Sequence, residues 1–122
     1  MSDDRSTAAG PEPRLTARVW VQAQVRLCDR HFISMVIARR GDPDAGAILM
    51  RLVRGPQVNL LLARHTRPDG STGWMTVGGD EAVDDATADA YVVRQVDRDP
   101  DLWVLDVDDP KGRYWPDAPI DA

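Results

Sequence analysis

Cysteine occurs once in the 122 residues, as Cys28, so no internal disulfide can form. A lone thiol fits a reducing compartment. With only His31 and His65 beside it, the chain falls short of the roughly four ligands of a structural zinc. Lys111 is the sole lysine, and Glu12 and Glu81 are the only glutamates, so arginine and aspartate carry the charge. Codon bias explains that most simply, although the planar fork of arginine also suits carboxylate and phosphate partners. No apolar run approaches the ~20 residues of a membrane span, and no membrane association is expected. Met1 to Arg14 is polar and lacks the apolar stretch of a secretory signal, so the expected location is the cytoplasm. A phosphate loop is missing too. Gly78-Gly79-Asp80 has neither the full glycine fingerprint nor the lysine, and the acids that follow would repel a phosphate. It reads as a hinge and helix cap, and no cofactor is expected.

What is present describes one small globular domain. Hydrophobic residues make up 43% and charged residues 29%, which is enough apolar surface to offset the entropy of ordering. The length falls within the ~100–200 residues of a single domain. The expected layout is a flexible tail over 1–13, a domain over 14–115 and a C-terminal tail over 116–122. The net charge of −5 is uneven: residues 1–67 carry +5 and residues 68–122 carry −10. Halves that fold together neutralise each other. The alternative is a dipolar surface whose acidic face steers a basic partner.

Periodicity predicts the elements. Thr16 is placed to cap a helix running to about Asp29, with Val19, Trp20, Ala23 and Leu27 as its apolar stripe. Phe32 to Ala38, Ala47 to Val53, Val58 to His65 and Trp74 to Val77 read as strands separated by Gly, Pro and Asp turns. A second helix is expected over Asp80 to Arg98, its acids near the favourable end of the dipole and Ala82, Ala86, Ala90, Val93 and Val96 as its stripe. Pro100 ends it. Leu102 to Asp108 is a fifth strand, with Trp103, Leu105 and Val107 facing the core. The predicted fold is α+β in the order α-β-β-β-β-α-β, a mostly antiparallel sheet with two helices packed on one face.

That arrangement leaves a question. Strands one to three are apolar on both sides, and a sheet with one wet face would alternate instead. The second face therefore needs a cover. The C-terminal tail with Tyr114 and Trp115 is one candidate. A homodimer or another protein partner docked on that face is the other, and is favoured here.

The stretch Arg94-Gln95-Val96-Asp97-Arg98-Asp99-Pro100-Asp101-Leu102-Trp103-Val104-Leu105-Asp106-Val107-Asp108-Asp109 resembles the signature of the domain-of-unknown-function family 1491. Leu15-Thr16-Ala17-Arg18-Val19-Trp20-Val21 and Arg39-Arg40-Gly41-Asp42 with Gly46-Ala47-Ile48-Leu49 are similar to it as well. The resemblance spans roughly residues 14 to 115 and implies a short bacterial protein. It assigns no activity and no residue roles.

Three functional readings follow. The favoured one is a non-catalytic binding or regulatory module, because no nucleophile–base pair, ligand set or phosphate loop can be assembled from the sequence. The second is a metal-dependent enzyme acting on phosphoesters. Asp106 and Asp108 share a strand face and could hold a hard cation, but the solvated end of a strand explains them more simply. The third is nucleic-acid binding through Arg39, Arg40, Arg51, Arg54, Arg64 and Arg67, which could contact phosphates or another anionic partner. The net charge and a pI near 4.8 argue against nucleic acid. Cys28 is expected to be a small buried hydrophobe.

Overall fold

A computed structural model describes residues 15–79, 81–116 and 118–121. The tail expected over 1–13, and Asp80 of the expected hinge, lie outside the described residues.

Helix α1 spans Ala17–Arg30, and the Thr16 hydroxyl accepts from the Val19 N–H at 3.3 Å, as its capping role requires. The buried stripe is Ala17, Trp20, Val21, Gln24 and Cys28, whereas Val19 and Leu27 are exposed. The helix is thus rotated from the predicted phase. Gln24 is the reason: it is polar by type, yet the Tyr114 hydroxyl donates to its side-chain oxygen at 2.7 Å, which permits burial.

The strands are β1 (Ser34–Arg39), β2 (Ile48–Gly55), β3 (Val58–Thr66), β4 (Thr72–Val77), β5 (Trp103–Asp108) and β6 (Ile120–Asp121). They form one sheet in the order β1-β5-β2-β3-β4-β6. β2, β3 and β4 make the expected antiparallel meander. β5 enters between β1 and β2, antiparallel to the first and parallel to the second, and β6 runs parallel to β4. The sheet is therefore mixed. A register shift between Ile37 and Arg39 interrupts β1, an edge strand, and a bulge of that kind discourages pairing with other chains.

Helix α2 spans Asp85–Arg98 and starts later than predicted, at the Asp84 cap, whose carboxylate accepts from the Thr87 N–H at 2.7 Å. Its inward side is Ala88, Tyr91, Val92 and Val96, while Val93 is 60% exposed. Alanines tolerate either side of a helix, so Tyr91 decided the phase and Ala86 and Ala90 turned outward.

The α+β class stands, but the two helices lie on opposite faces of the sheet. Ile48, Met50 and Leu52 join Trp20 and Val21 of α1 in one core, whereas Leu49 and Val104 join Tyr91, Val92 and Val96 of α2 in another. Alternate residues of one strand point to opposite faces, so the two cores are on opposite sides. On that second face α2 connects β4 to β5, crossing β3 and β2. Cover on both faces explains why both sides of β2 are apolar. Tyr114 packs with the α1 core, so the tail covers that face and not the second. Trp103 is buried with Leu105 and Val107 as predicted, and its Nε1 donates to the Asp42 carbonyl at 2.7 Å.

Candidate functional site

The chain reverses after β5, and Asp109 organises the turn. Its N–H bonds the Val53 carbonyl at 2.9 Å, and its buried carboxylate accepts from the N–H groups of Arg113 and Tyr114 at 3.0 and 2.6 Å. Gly112, at φ 64, supplies the left-handed residue such a turn needs. The returning segment lays Tyr114 against α1 and Trp115 over Arg54, whose guanidinium carbon is 4.9 Å from the ring centre. Arg54 Nε stands 3.9 Å from Asp109 Oδ2.

Between the end of α1 and this segment opens a cleft of about 250 Å³, lined by Leu27, Cys28, His31, Ile33, Arg113, Tyr114 and Trp115. One lining residue, Trp115, and one residue of the adjoining turn, Phe32, are aromatic side chains in solvent. Trp115 is 55% exposed, and Phe32, between His31 and Ile33, is 93% exposed with its backbone at φ 57. Cys28 is buried as expected. Desolvation, with smaller contributions from Asp109 and Asp29, pushes its thiol pKa up to about 11. It is therefore a protonated thiol at neutral pH.

The arginines singled out from the sequence do not gather. Arg39 donates to the Pro100 carbonyl at 2.8 Å, and Arg40 lies 5.6 Å from the Trp103 ring. Arg64 lies 5.5 Å from the ring of Trp20, on the α1 side. Arg51 is on the opposite side, donating to Asp89 at 2.6 Å and to the Asn59 side-chain oxygen at 2.9 Å. Asn59, fully buried, donates in turn to Asp85 at 2.8 Å, so this network ties the start of α2 to the sheet.

Asp106 and Asp108 do share the α2 face of β5. Asp106 is half-buried beside Arg51, and burial raises its pKa against the opposing pull of Arg51, with Asp89 adding to the rise. Asp108 is exposed and in register with Ser34 and Val53. Among the described residues no group of three or more His, Cys, Asp or Glu side chains could hold a metal ion.

One cluster escaped the sequence reading. His65 Nε2 lies 2.7 Å from Asp121 Oδ2, and Arg67 donates to both oxygens of Asp121 at 3.0 and 2.6 Å. Arg67, then His65, hold the Asp121 carboxyl down at about 2. The pairing depends on the short β6 joining β4, which no periodicity in a two-residue strand announces.

No helix among the described residues is long and apolar enough to cross a membrane. A crystal structure of a DUF1491 family protein from Caulobacter crescentus CB15 is 32% identical, with a TM-score of 0.79 over 88% of this chain and 100% of that one. An NMR structure of a DUF1491 family protein from the same organism is 31% identical, with a TM-score of 0.77 over 88% and 97%. The solution structure of protein Atu0922 from A. tumefaciens shares the fold at 20% identity, with a TM-score of 0.67 over 79% and 86%. No curated protein is significantly similar. The profile of the proteins of unknown function DUF1491 matches residues 15–115, and the chain belongs to that family.

Proposed function

We propose that this protein is a non-catalytic binding module of the cytoplasm, and that it docks a partner at the turn after α1, where Phe32 stands in solvent. Phe32 carries the reading. It is 93% exposed and adopts φ 57, a backbone region that bulky residues avoid. Glycine or asparagine would serve the turn better, so an aromatic ring held outward there is best accounted for by what it touches outside the chain. Cys28 supports the absence of nucleophilic chemistry at the cleft, since a buried thiol with its pKa raised is the reverse of an activated one. The same lone thiol favours a reducing compartment.

Replacing Phe32 by a photo-crosslinking phenylalanine analogue tests the proposal. The expected result is a discrete adduct in cells that a probe at Val93, exposed on α2, does not give. Matching adduct patterns at the two positions would overturn it. A second docking surface, for another copy of the chain, is the α2-bearing face, favoured by the exposure of Val36 and Met75 there. Light scattering on the native chain and on Val36→Asp tests that reading: a dimer lost in the variant supports it, and a monomer in both removes it.

A further inference from the structure

The edge of β4 carries a cradle for a carboxylate, and the chain's own Asp121 sits in it. Arg67 presents its fork to both oxygens, Nε donating to Oδ2 at 3.0 Å and Nη2 to Oδ1 at 2.6 Å. His65 Nε2 lies 2.7 Å from Oδ2, and an ionised carboxylate only accepts, so the ring is the donor. His65 and Gly73 are opposed across β3 and β4, and a Cβ on Gly73 would fall 2.6 Å from Oδ2. The carboxylate has room because residue 73 has no side chain. Net charge does not account for the fit, since Asp69 also acts on Arg67. Its own carboxylate is occupied by the N–H and hydroxyl of Ser71 at 2.9 and 2.6 Å. What selects a carboxylate here is the paired geometry of the fork.

The backbone of β6 contributes little to this docking. It pairs with only Trp74 and Met75 of the six residues of β4, and the Trp74 N–H bonds the Pro119 carbonyl at 2.8 Å. Ile120 packs against the α1-side core, while Asp121 enters the cradle on the opposite face, as consecutive strand residues do. An aliphatic residue and an acid in succession are thus read on two sides of one edge. Past Met75, Thr76 and Val77 have no strand beside them on that edge among the described residues. The side chains of Arg67, His65 and Asp121 are 28%, 29% and 32% exposed, so the cradle opens to solvent.

We propose that this edge docks an extended segment of a partner protein, carrying an aliphatic residue followed by an acidic one, which replaces β6 and places its carboxylate on Arg67 and His65. Asp121 is the built-in occupant of the site. In strand addition of this kind, main-chain pairing supplies affinity and side-chain pockets supply specificity. A tethered strand competes at an effective concentration of about millimolar. A partner strand offsets that advantage by length, pairing onward with Thr76 and Val77. The surface is separate from the turn that carries Phe32, and the proposal does not depend on docking there.

Two labelled peptides test it on the full chain. The first, Ala-Pro-Ile-Asp-Thr-Val-Thr, copies residues 118–121 and runs on by three strand-forming residues. The second has Asn in place of Asp. Asp121 is outside both cores, so Asp121→Asn weakens the built-in occupant and leaves the packing intact. That variant should bind the Asp peptide roughly tenfold more tightly than the Asn peptide. The native chain should bind the Asp peptide more weakly than the variant does. Adding Gly73→Ala, which keeps Arg67 and His65, should abolish binding. Equal affinity for the two peptides, or binding indifferent to Gly73→Ala, overturns the cradle as the recognition element. No binding to the Asp121→Asn variant overturns the edge as a docking site. A native chain that dimerises at the concentrations used, and loses the dimer in Gly73→Ala, assigns the edge to a second copy and overturns the partner protein.

Discussion

The Tyr114 hydroxyl donates to the side-chain oxygen of Gln24 at 2.7 Å, and both groups are buried although 90 positions separate them. This bond joins the returning tail to α1 and satisfies the one polar side chain in the inward stripe of that helix. Tyr114→Phe leaves the Gln24 amide unsatisfied and should cost about 1–3 kcal/mol. Gln24→Leu combined with Tyr114→Phe should recover part of that loss. Denaturant titration of the two single variants and the double gives the coupling, and strictly additive effects would show that the bond contributes nothing.

Trp103→Ala should lower stability by roughly 3–5 kcal/mol, because it empties a large volume in the α1-side core and leaves the Asp42 carbonyl with only the longer bond from the Gly46 N–H. Thermal melting checks it, and an unchanged midpoint would contradict the burial of the ring.

Gly41→Ala should destabilise without removing a contact. A Cβ there would fall 2.6 Å from Trp103 Cδ1 and closer still to the Asp101 carbonyl oxygen, a backbone atom that cannot step aside. Overpacking of this kind costs about 1–3 kcal/mol. Equal chemical-denaturation midpoints for the two proteins would show that the 41–46 loop moves freely.

Asp121 and Asp106 should respond to acid in opposite senses. The Asp121 carboxyl is held at about 2 when folded, below its ordinary 3.8, so its pairing stabilises the fold above that ordinary value and the contribution fades as pH falls toward 2. Asp121→Asn should therefore melt lower than the native chain at pH 7, with the gap closing near pH 2. The pKa of Asp106 is raised by burial, so its ionised form costs stability at neutral pH and its protonated form does not. Asp106→Asn should melt higher at pH 7, and the advantage should vanish once both folded and unfolded carboxyls are protonated. Melting curves across pH 2–7 that run parallel for native chain and variants would refute both.

Cys28 should resist alkylation in the folded protein, because the thiol is buried and its pKa is pushed up to about 11. Labelling that runs as fast in buffer as in denaturant would place it at the surface.

Local chemistry was readable from the residues wherever the partner lies nearby. The β2–β3–β4 meander follows from short turns, the α1 start from Thr16, and the inward side of β5 from the alternation of Trp103, Leu105 and Val107. Long-range choices were not readable. Nothing in Ser34–Arg39 says that its partner is Trp103–Asp108 and not the strand that follows it in sequence. The helix phases failed for a different reason, since Gln24 and Tyr91 outweighed aliphatic and alanine positions through partners supplied by distant segments. In the candidate site, Cys28, Tyr114 and Trp115 were singled out from the sequence, but Phe32 read as the first residue of a strand and Arg113 was passed over. Only the turn at φ 57 puts Phe32 outside.

The insertion of β5 between β1 and β2 has a consequence for the order of events during synthesis. The ribosome releases β1 early, yet its one neighbour in the sheet does not exist until residue 108 has been made. Until then the meander can assemble with α1 on its face while β1 waits with both edges unpaired, the condition in which nascent chains aggregate. A chain stopped before Leu102 should therefore hold the meander with α1 against it and leave Ser34–Arg39 without a neighbour in the sheet.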